Sequence, residues 1–190
     1  MSELIYVPRG ETPSKDGYIP ALYLPYMSGG KGSQKILLYF HGNAEDIGIS
    51  YQMLDHLRSM LHLNIMAMEY PGYGAYKLEE SADEARILTD AEFTYKYILK
   101  QTSVLEEDII VMGRSLGSGP ATHLCSKFSP GALVLMSPFV SIKSVANNKV
   151  GFLSFLLADM FDNLSKMPMV ECPTFIVHGQ KDSLIPVSQA

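Results

Sequence analysis

The chain has 190 residues, 15 of them basic and 20 acidic, and a formal net charge of -5 at pH 7. With 47% hydrophobic and 18% charged residues, it can bury a sizeable core and is not disordered. The mild acidity excludes the basic footprint of a nucleic-acid binder. The longest dense apolar stretch, residues 151–158, falls far short of the ~18–20 residues that cross a bilayer.

Length favours a single domain over 1–190. The start, Met1-Ser2-Glu3-Leu4, has no basic region followed by an apolar run, so no secretory signal is expected. Cys125 and Cys172 offer neither a disulfide framework nor metal-ligand spacing. A reducing, cytoplasmic setting fits this composition. Neither a cofactor nor a metal is expected.

Taken in chain order, residues 4–7 and 18–24 are predicted strands around the turn-rich 10–17, forming an antiparallel edge. The Gly- and Ser-rich 27–34 reads as a solvated loop. Short, unbroken apolar runs follow at 36–40, 65–68, 109–112, 133–136 and 175–177. Strands covered on both faces of a parallel sheet read this way. Helical spacing separates them. In 50–62, Met53, Leu54, Leu57, Met60 and Leu61 share a face. In 81–101, Ala85, Leu88, Phe93, Tyr95 and Ile98 form the predicted buried stripe, opened by the capping box Ser81-Ala82-Asp83-Glu84. A third helix is predicted from Ser115 to about Phe128. The alternation implies an α/β class, with a mostly parallel, doubly wound sheet. The long connection 138–173 contains an apolar, Met-rich stretch at 150–169 and is predicted to form a small cap. Its composition fits an acyl-chain groove and plain core packing equally.

The chemistry concentrates at three strand ends. Gly113-Arg114-Ser115-Leu116-Gly117 follows a strand and opens a helix. In that context Gly-x-Ser-x-Gly makes a sharp elbow that lifts the serine oxygen to the sheet rim, over a helix N-terminus. At the end of the first parallel strand lies His41-Gly42-Asn43-Ala44. Here the N–H groups of Asn43 and Leu116 would meet a developing oxyanion, and His41 reads as structural. At the last strand lies His178-Gly179-Gln180-Lys181-Asp182. Asp182 would orient a catalytic histidine; His178, just before a glycine, reads as structural.

These strings, with Glu69-Tyr70-Pro71-Gly72-Tyr73-Gly74 and Ser137-Pro138-Phe139, occur in the order and spacing of α/β-hydrolase-fold serine hydrolases. The chain resembles most the branch containing protein depalmitoylating thioesterases, often labelled serine-aminopeptidase-like. The resemblance covers nearly the whole chain. It implies Ser115 as nucleophile, Asp182 as acid, and Asn43 with Leu116 as oxyanion donors. It also implies an ester or thioester substrate, including S-acylated protein. Phe139, Phe152, Phe155 and Leu156 are the expected substrate-binding residues.

Two features depart from the family pattern. The family places its histidine after the acid, one strand further on. Here only Ser183 to Ala190 follow Asp182, and none is histidine. A C-terminally truncated fold, lacking a final strand and helix, is therefore expected. It would expose a sheet edge prone to self-association. His123 cannot substitute, since two helical turns separate it from Ser115 by ~12 Å, and a base must come within ~2.6–3.2 Å. The second departure is the absence of cysteine in residues 1–10, which argues against constitutive lipid anchoring and leaves peripheral membrane contact as the expectation. Two other functions stay open: a non-catalytic hydrolase-like module holding a lipid or partner, and a serine peptidase.

Overall fold

The computed structural model describes residues 2–10, 17–76, 83–145 and 160–190. β1 (Glu3–Pro8) and β2 (Tyr18–Leu24) pair antiparallel, with Leu4 opposite Leu22 and Val7 opposite Ile19. β3 (Met27–Ser28) and β4 (Lys31–Gly32) form a small exposed hairpin within what the sequence suggested was a loop. Its turn residues, Gly29 and Gly30, have φ of +58 and +78, which suits glycine at both positions.

The remaining strands are β5 (Ile36–Phe40), β6 (Asn64–Met68), β7 (Ile109–Arg114), β8 (Ala132–Met136) and β9 (Thr174–Val177). The seven-stranded sheet runs β1-β2-β6-β5-β7-β8-β9, parallel from β6 onward. Its antiparallel edge lies where the sequence predicted it.

All of β5 is buried, because each face meets a different core. Ile36, Leu38 and Phe40 face a core shared with α2 (Glu84–Gln101) and α3 (Ser118–Cys125). Leu37 and Tyr39 face a second core shared with α1 (Ile47–Leu61). This two-sided burial gives the unbroken apolar run at 36–40. β7 extends past its apolar run, since Gly113 and Arg114 continue the pairing with Leu135 and Met136.

Several predicted details shift. α1 starts earlier than residue 50. Asp46 caps it, its carboxylate accepting from the Ile49 N–H at 2.7 Å. Its buried residues are Ile47, Ser50 and Leu54, whereas Met60 and Leu61 are exposed. Met60 lies roughly 100° off that face at 3.6 residues per turn, and Leu61 ends the helix. α2 is capped by Asp83, which accepts from the Arg86 N–H at 2.7 Å; Ser81 lies outside the described residues. Its buried stripe is Ile87, Asp90, Ala91, Thr94, Tyr95 and Ile98. Ala85 is exposed, and Leu88 and Phe93 are half-buried. The stripe contains two polar residues, which an apolar-only reading passes over. Asp90 accepts from Arg9 Nε at 2.6 Å and the Tyr76 hydroxyl at 3.0 Å, so its burial is compensated. α3 is shorter than predicted and follows a 3₁₀ turn over Ser115–Gly117.

β9 departs most. All four residues are exposed, Phe175 at 64%. The apolar run 175–177 is therefore not covered on both faces among the described residues; β9 is the sheet edge. Of the predicted cap, Asn163–Lys166 is a one-turn helix and Met167–Met169 a 3₁₀ turn. Phe161 re-enters the core with its ring against α3, where a Cβ on Gly119 would meet the ring at 2.2 Å. Phe152, Phe155 and Leu156 lie outside the described residues.

Candidate active site

Ser115 sits where β7 gives way to α3, with φ of +50. A left-handed backbone costs a non-glycine residue roughly 1–2 kcal/mol, so the surrounding packing must impose it. Two glycines show how. A Cβ on Gly113 would lie 2.2 Å from the Gly117 carbonyl oxygen. A Cβ on Gly117 would lie 2.1 Å from the Phe40 carbonyl oxygen and 2.9 Å from that of His41. The elbow is thus pressed against the end of β5 with backbone on both sides. Ser115 is half-buried, and its hydroxyl has no hydrogen-bond partner among the described residues. Leu116 follows at the N-terminal end of the 3₁₀ turn, where backbone N–H groups lack intrahelical acceptors.

The loop after β5 runs beside the elbow, because Phe40 pairs with Gly113. A Cβ on Gly42 would stand 3.7 Å from the Ser115 Cβ, and Asn43 comes next. Arg114 binds the Glu45 carboxylate, tying elbow to loop. Tyr73 donates its hydroxyl to Asn43 Oδ1 at 2.6 Å. Ser115 and Leu116 thus lie beside the Gly42 end of the loop that leads into Asn43.

His41 is fully buried. Its Nε2 lies 2.9 Å from Glu69 Oε1 and its Nδ1 2.9 Å from the Gly42 carbonyl. The fully buried Glu69 also accepts from the N–H groups of Tyr70 and Ile47. The Tyr70 hydroxyl donates to the His41 carbonyl at 2.9 Å, and the two rings lie 4.0 Å apart. With both nitrogens engaged, His41 has a structural role, as the sequence suggested. Glu69, Tyr73 and Glu45 escaped the residue-level reading. One signal was available: β5 and β6 pair in parallel with Phe40 opposite Met68, so the next residues, His41 and Glu69, are neighbours.

Asp182 lies after β9, on the same carboxyl edge as Ser115. β8 alone separates β7 from β9, a lateral span of roughly 10 Å at ~4.8 Å per strand. Asp182 Oδ1 accepts from the N–H groups of Ile185 and Leu184, each at 2.9 Å. These bonds, Ile185 first, hold its carboxyl below the ordinary range, with help from His178 and Ser137. His178 is buried and points inward, Nε2 donating to the Ile185 carbonyl at 2.7 Å. It closes the loop that holds Asp182. His56 and His62 are exposed, and His123 binds Glu92 at 2.9 Å.

Phe139 is buried in the core and lines a cavity of about 290 Å³ with Leu135, Leu164, Met167 and Ile176. This places it in packing beside β8 and β9.

The depressed carboxyl makes a test. Stability from Asp182 is fully present above an unfolded carboxylate value of ~3.9 and is lost as pH falls through the lower folded value. Denaturant titrations of wild type and Asp182→Asn should therefore differ most at pH 5–7 and converge as pH falls through the lowered folded value. A gap that stays constant with pH would show that the charge on Asp182 contributes nothing.

No family model matches the chain. Alpha/beta hydrolase domain-containing protein aho-3 of Caenorhabditis elegans is 34% identical over 152 residues, covering 80% of this chain and 45% of the relative. Human alpha/beta hydrolase domain-containing protein 17B is 30% identical over 154 residues, covering 80% and 51%. The chain spans about half the length of the curated relatives it matches. Among solved structures, a Pyrococcus furiosus esterase superposes with a TM-score of 0.75 at 15% identity, covering 100% of this chain and 75% of that one. An alpha-beta hydrolase from Vibrio vulnificus does so with 0.74 at 17% identity, covering 92% and 62%. A strained serine on a tight elbow, a sheet running from antiparallel edge to parallel body, and these relatives converge: the chain has the α/β-hydrolase fold and is a homologue of the alpha/beta hydrolase domain-containing proteins.

Proposed function

We propose that the protein is a serine hydrolase that cleaves an ester or thioester through an acyl-enzyme on Ser115. The observation that carries this reading is the positive φ of Ser115 on an elbow pressed against β5. That geometry supports a hydroxyl held at the rim, with the N–H groups of Leu116 and Asn43 as the proposed donors. In the reaction, Ser115 Oγ bonds to the acyl carbon while a base takes its proton. The oxyanion lies against the N–H groups of Leu116 and Asn43. Collapse breaks the bond to the alcohol or thiol, which leaves with the proton, and water then hydrolyses the acyl-serine.

The base is the open element. The described residues place no free imidazole at Ser115: His41 and His178 are turned inward, and His123 is engaged with Glu92. We assign the role to a histidine supplied beyond residue 190, held by Asp182. The preferred substrate is a long-chain thioester such as S-acylated protein, on the family resemblance. No helix among the described residues is long and apolar enough to cross a membrane. Cytoplasmic action with peripheral membrane contact belongs to the same proposal. The second reading is a non-catalytic module that holds a lipid or partner.

Fluorophosphonate labelling separates the two. In a form extended past Ala190, Ser115 is expected to carry the adduct, and Ser115→Ala to abolish it. The 190-residue chain should label ~10²–10⁴-fold more slowly, the usual contribution of a positioned base. An extended form with intact fold and no adduct at Ser115 would overturn the enzyme and leave the binding module. A panel of acyl thioesters, simple esters and amino-acyl amides then ranks substrates.

A further inference from the structure

The loop after β5 and the serine elbow meet around one carboxylate. Glu45 turns back on its own loop: its N–H donates to the Gly42 carbonyl at 3.2 Å, and its Oε2 accepts from the Gly42 N–H at 3.4 Å. The same oxygen accepts from the hydroxyls of Ser50 in α1 at 3.4 Å and Tyr39 in β5 at 3.5 Å. Oε1 pairs with the guanidinium of Arg114, the residue just before Ser115. The carboxylate thus gathers donors from strand, loop, helix and elbow. A Cβ on Gly42 would stand 3.5 Å from Glu45 Oε1 and 3.7 Å from the Ser115 Cβ, so one methyl group there would touch both.

Asn43, the next residue along, is held from a different element. The Tyr73 hydroxyl, in the loop after β6, donates to Asn43 Oδ1 at 2.6 Å. The Tyr73 ring is itself fixed, its centroid 5.5 Å from that of His41 and 5.7 Å, edge-on, from that of Tyr70. The two holds differ in charge. Tyr73 brings none. Glu45 brings a carboxylate to a place where the proposed reaction develops negative charge, and a bare carboxylate there would oppose an oxyanion. The Arg114 guanidinium cancels it. Burial and then the Glu45 charge push the Tyr39 hydroxyl up to about 12, so it stays protonated and remains a donor to this carboxylate.

We infer that Glu45 and Tyr73 are positioning residues of the proposed hydrolase site: they fix Gly42 and Asn43 beside the elbow, and Arg114 neutralises the charge that Glu45 brings. This rests on Ser115 as nucleophile and Asn43 as oxyanion donor, the reading proposed above. Neither Glu45 nor Tyr73 is assigned contact with the reacting atoms. Each acts through the loop, because a backbone donor stabilises an oxyanion fully only when it is held in place before the charge develops. The ion pair adds a second consequence. Removing the Arg114 charge alone strands the Glu45 carboxylate beside the developing oxyanion, whereas removing both charges does not.

Two measurements test this together. Amide hydrogen exchange over residues 41–46 of the 190-residue chain follows the loop without any chemistry. Tyr73→Phe and Glu45→Ala should each speed exchange there while β7 stays protected. The second measurement is the rate of fluorophosphonate capture at Ser115, in a form that wild type labels. Losing one oxyanion donor outright costs roughly 10²–10³-fold, and a loosened donor less, so Tyr73→Phe should slow capture ~10-fold. Glu45→Gln keeps an acceptor for the Gly42 N–H and should fall between wild type and Glu45→Ala. If Glu45→Ala fails to fold, Tyr73→Phe and Glu45→Gln carry the comparison. Arg114→Met should slow capture, and adding Glu45→Gln to it should restore part of the rate, a reversal that lost packing does not produce. Unchanged exchange, or faster exchange with capture as fast as wild type, would overturn the positioning roles. A double variant no faster than Arg114→Met would overturn the role of the charge. Wild type that takes no adduct in any form overturns the hydrolase reading itself, and this inference with it, so the two failures are told apart by the wild-type lane.

Discussion

Gly117→Ala is expected to destabilise the fold by at least ~3 kcal/mol, beyond the usual range for overpacking and among the exceptional single substitutions. The added carbon would lie 2.1 Å from the Phe40 carbonyl oxygen, 2.6 Å from its carbon and 2.9 Å from the His41 oxygen. All three are backbone atoms of β5 and its exit, so no side chain can rotate away. Either β5 shifts in a fully buried part of the sheet or the elbow lifts off it. Gly72→Ala supplies the control. Gly72 has φ of +82 but nothing within 4 Å of its added carbon. Its cost is the backbone penalty alone, roughly 1–2 kcal/mol. Thermal unfolding separates the two, because each kcal/mol moves the midpoint by ~2–4 °C in a chain of this size. If Gly117→Ala melts no lower than Gly72→Ala, the elbow does not rest on β5 as described.

That contact also shows what the sequence made legible. Gly-x-Ser-x-Gly between an apolar run and a helix announces a tight elbow, because few residue types fit so close to a neighbouring strand. The parallel body of the sheet is equally readable, since strands buried on two faces keep no polar alternation. What stayed hidden depends on partners distant in the chain. The phase of α2 went astray at Asp90 and Thr94, polar residues made burial-compatible by Arg9, Tyr76 and the helix backbone. β9 has the same apolar character as the central strands, and only the sheet order makes it the edge. The catalytic candidates divide similarly. Ser115, Leu116 and Asn43 follow from local motifs. The Tyr73 and Glu45 bonds that fix their geometry require strand register.

Glu69→Ala should cost ~3–5 kcal/mol, the usual penalty for stripping one partner from a buried ionisable pair. Glu69 accepts from His41 at 2.9 Å and from the N–H groups of Tyr70 and Ile47 at 3.3 and 3.4 Å. Removing it leaves a fully buried imidazole and two backbone donors without that acceptor. The loss is therefore mainly desolvation, and it should couple to the histidine. His41→Ala is costly alone for the mirror-image reason. With both replaced, no polar partner on either side is left stranded by the other, so the double variant should be 1–3 kcal/mol more stable than the two single costs add to. Urea unfolding of the four proteins measures this coupling. Additivity within about 0.5 kcal/mol would mean that the pair is a contact without energetic linkage. The consequence for chemistry follows from position. His41 and Glu69 lock the first residues of the loop whose third member, Asn43, is the proposed oxyanion donor. Loosening the lock should therefore slow fluorophosphonate capture by Ser115 even under conditions where Glu69→Ala remains folded.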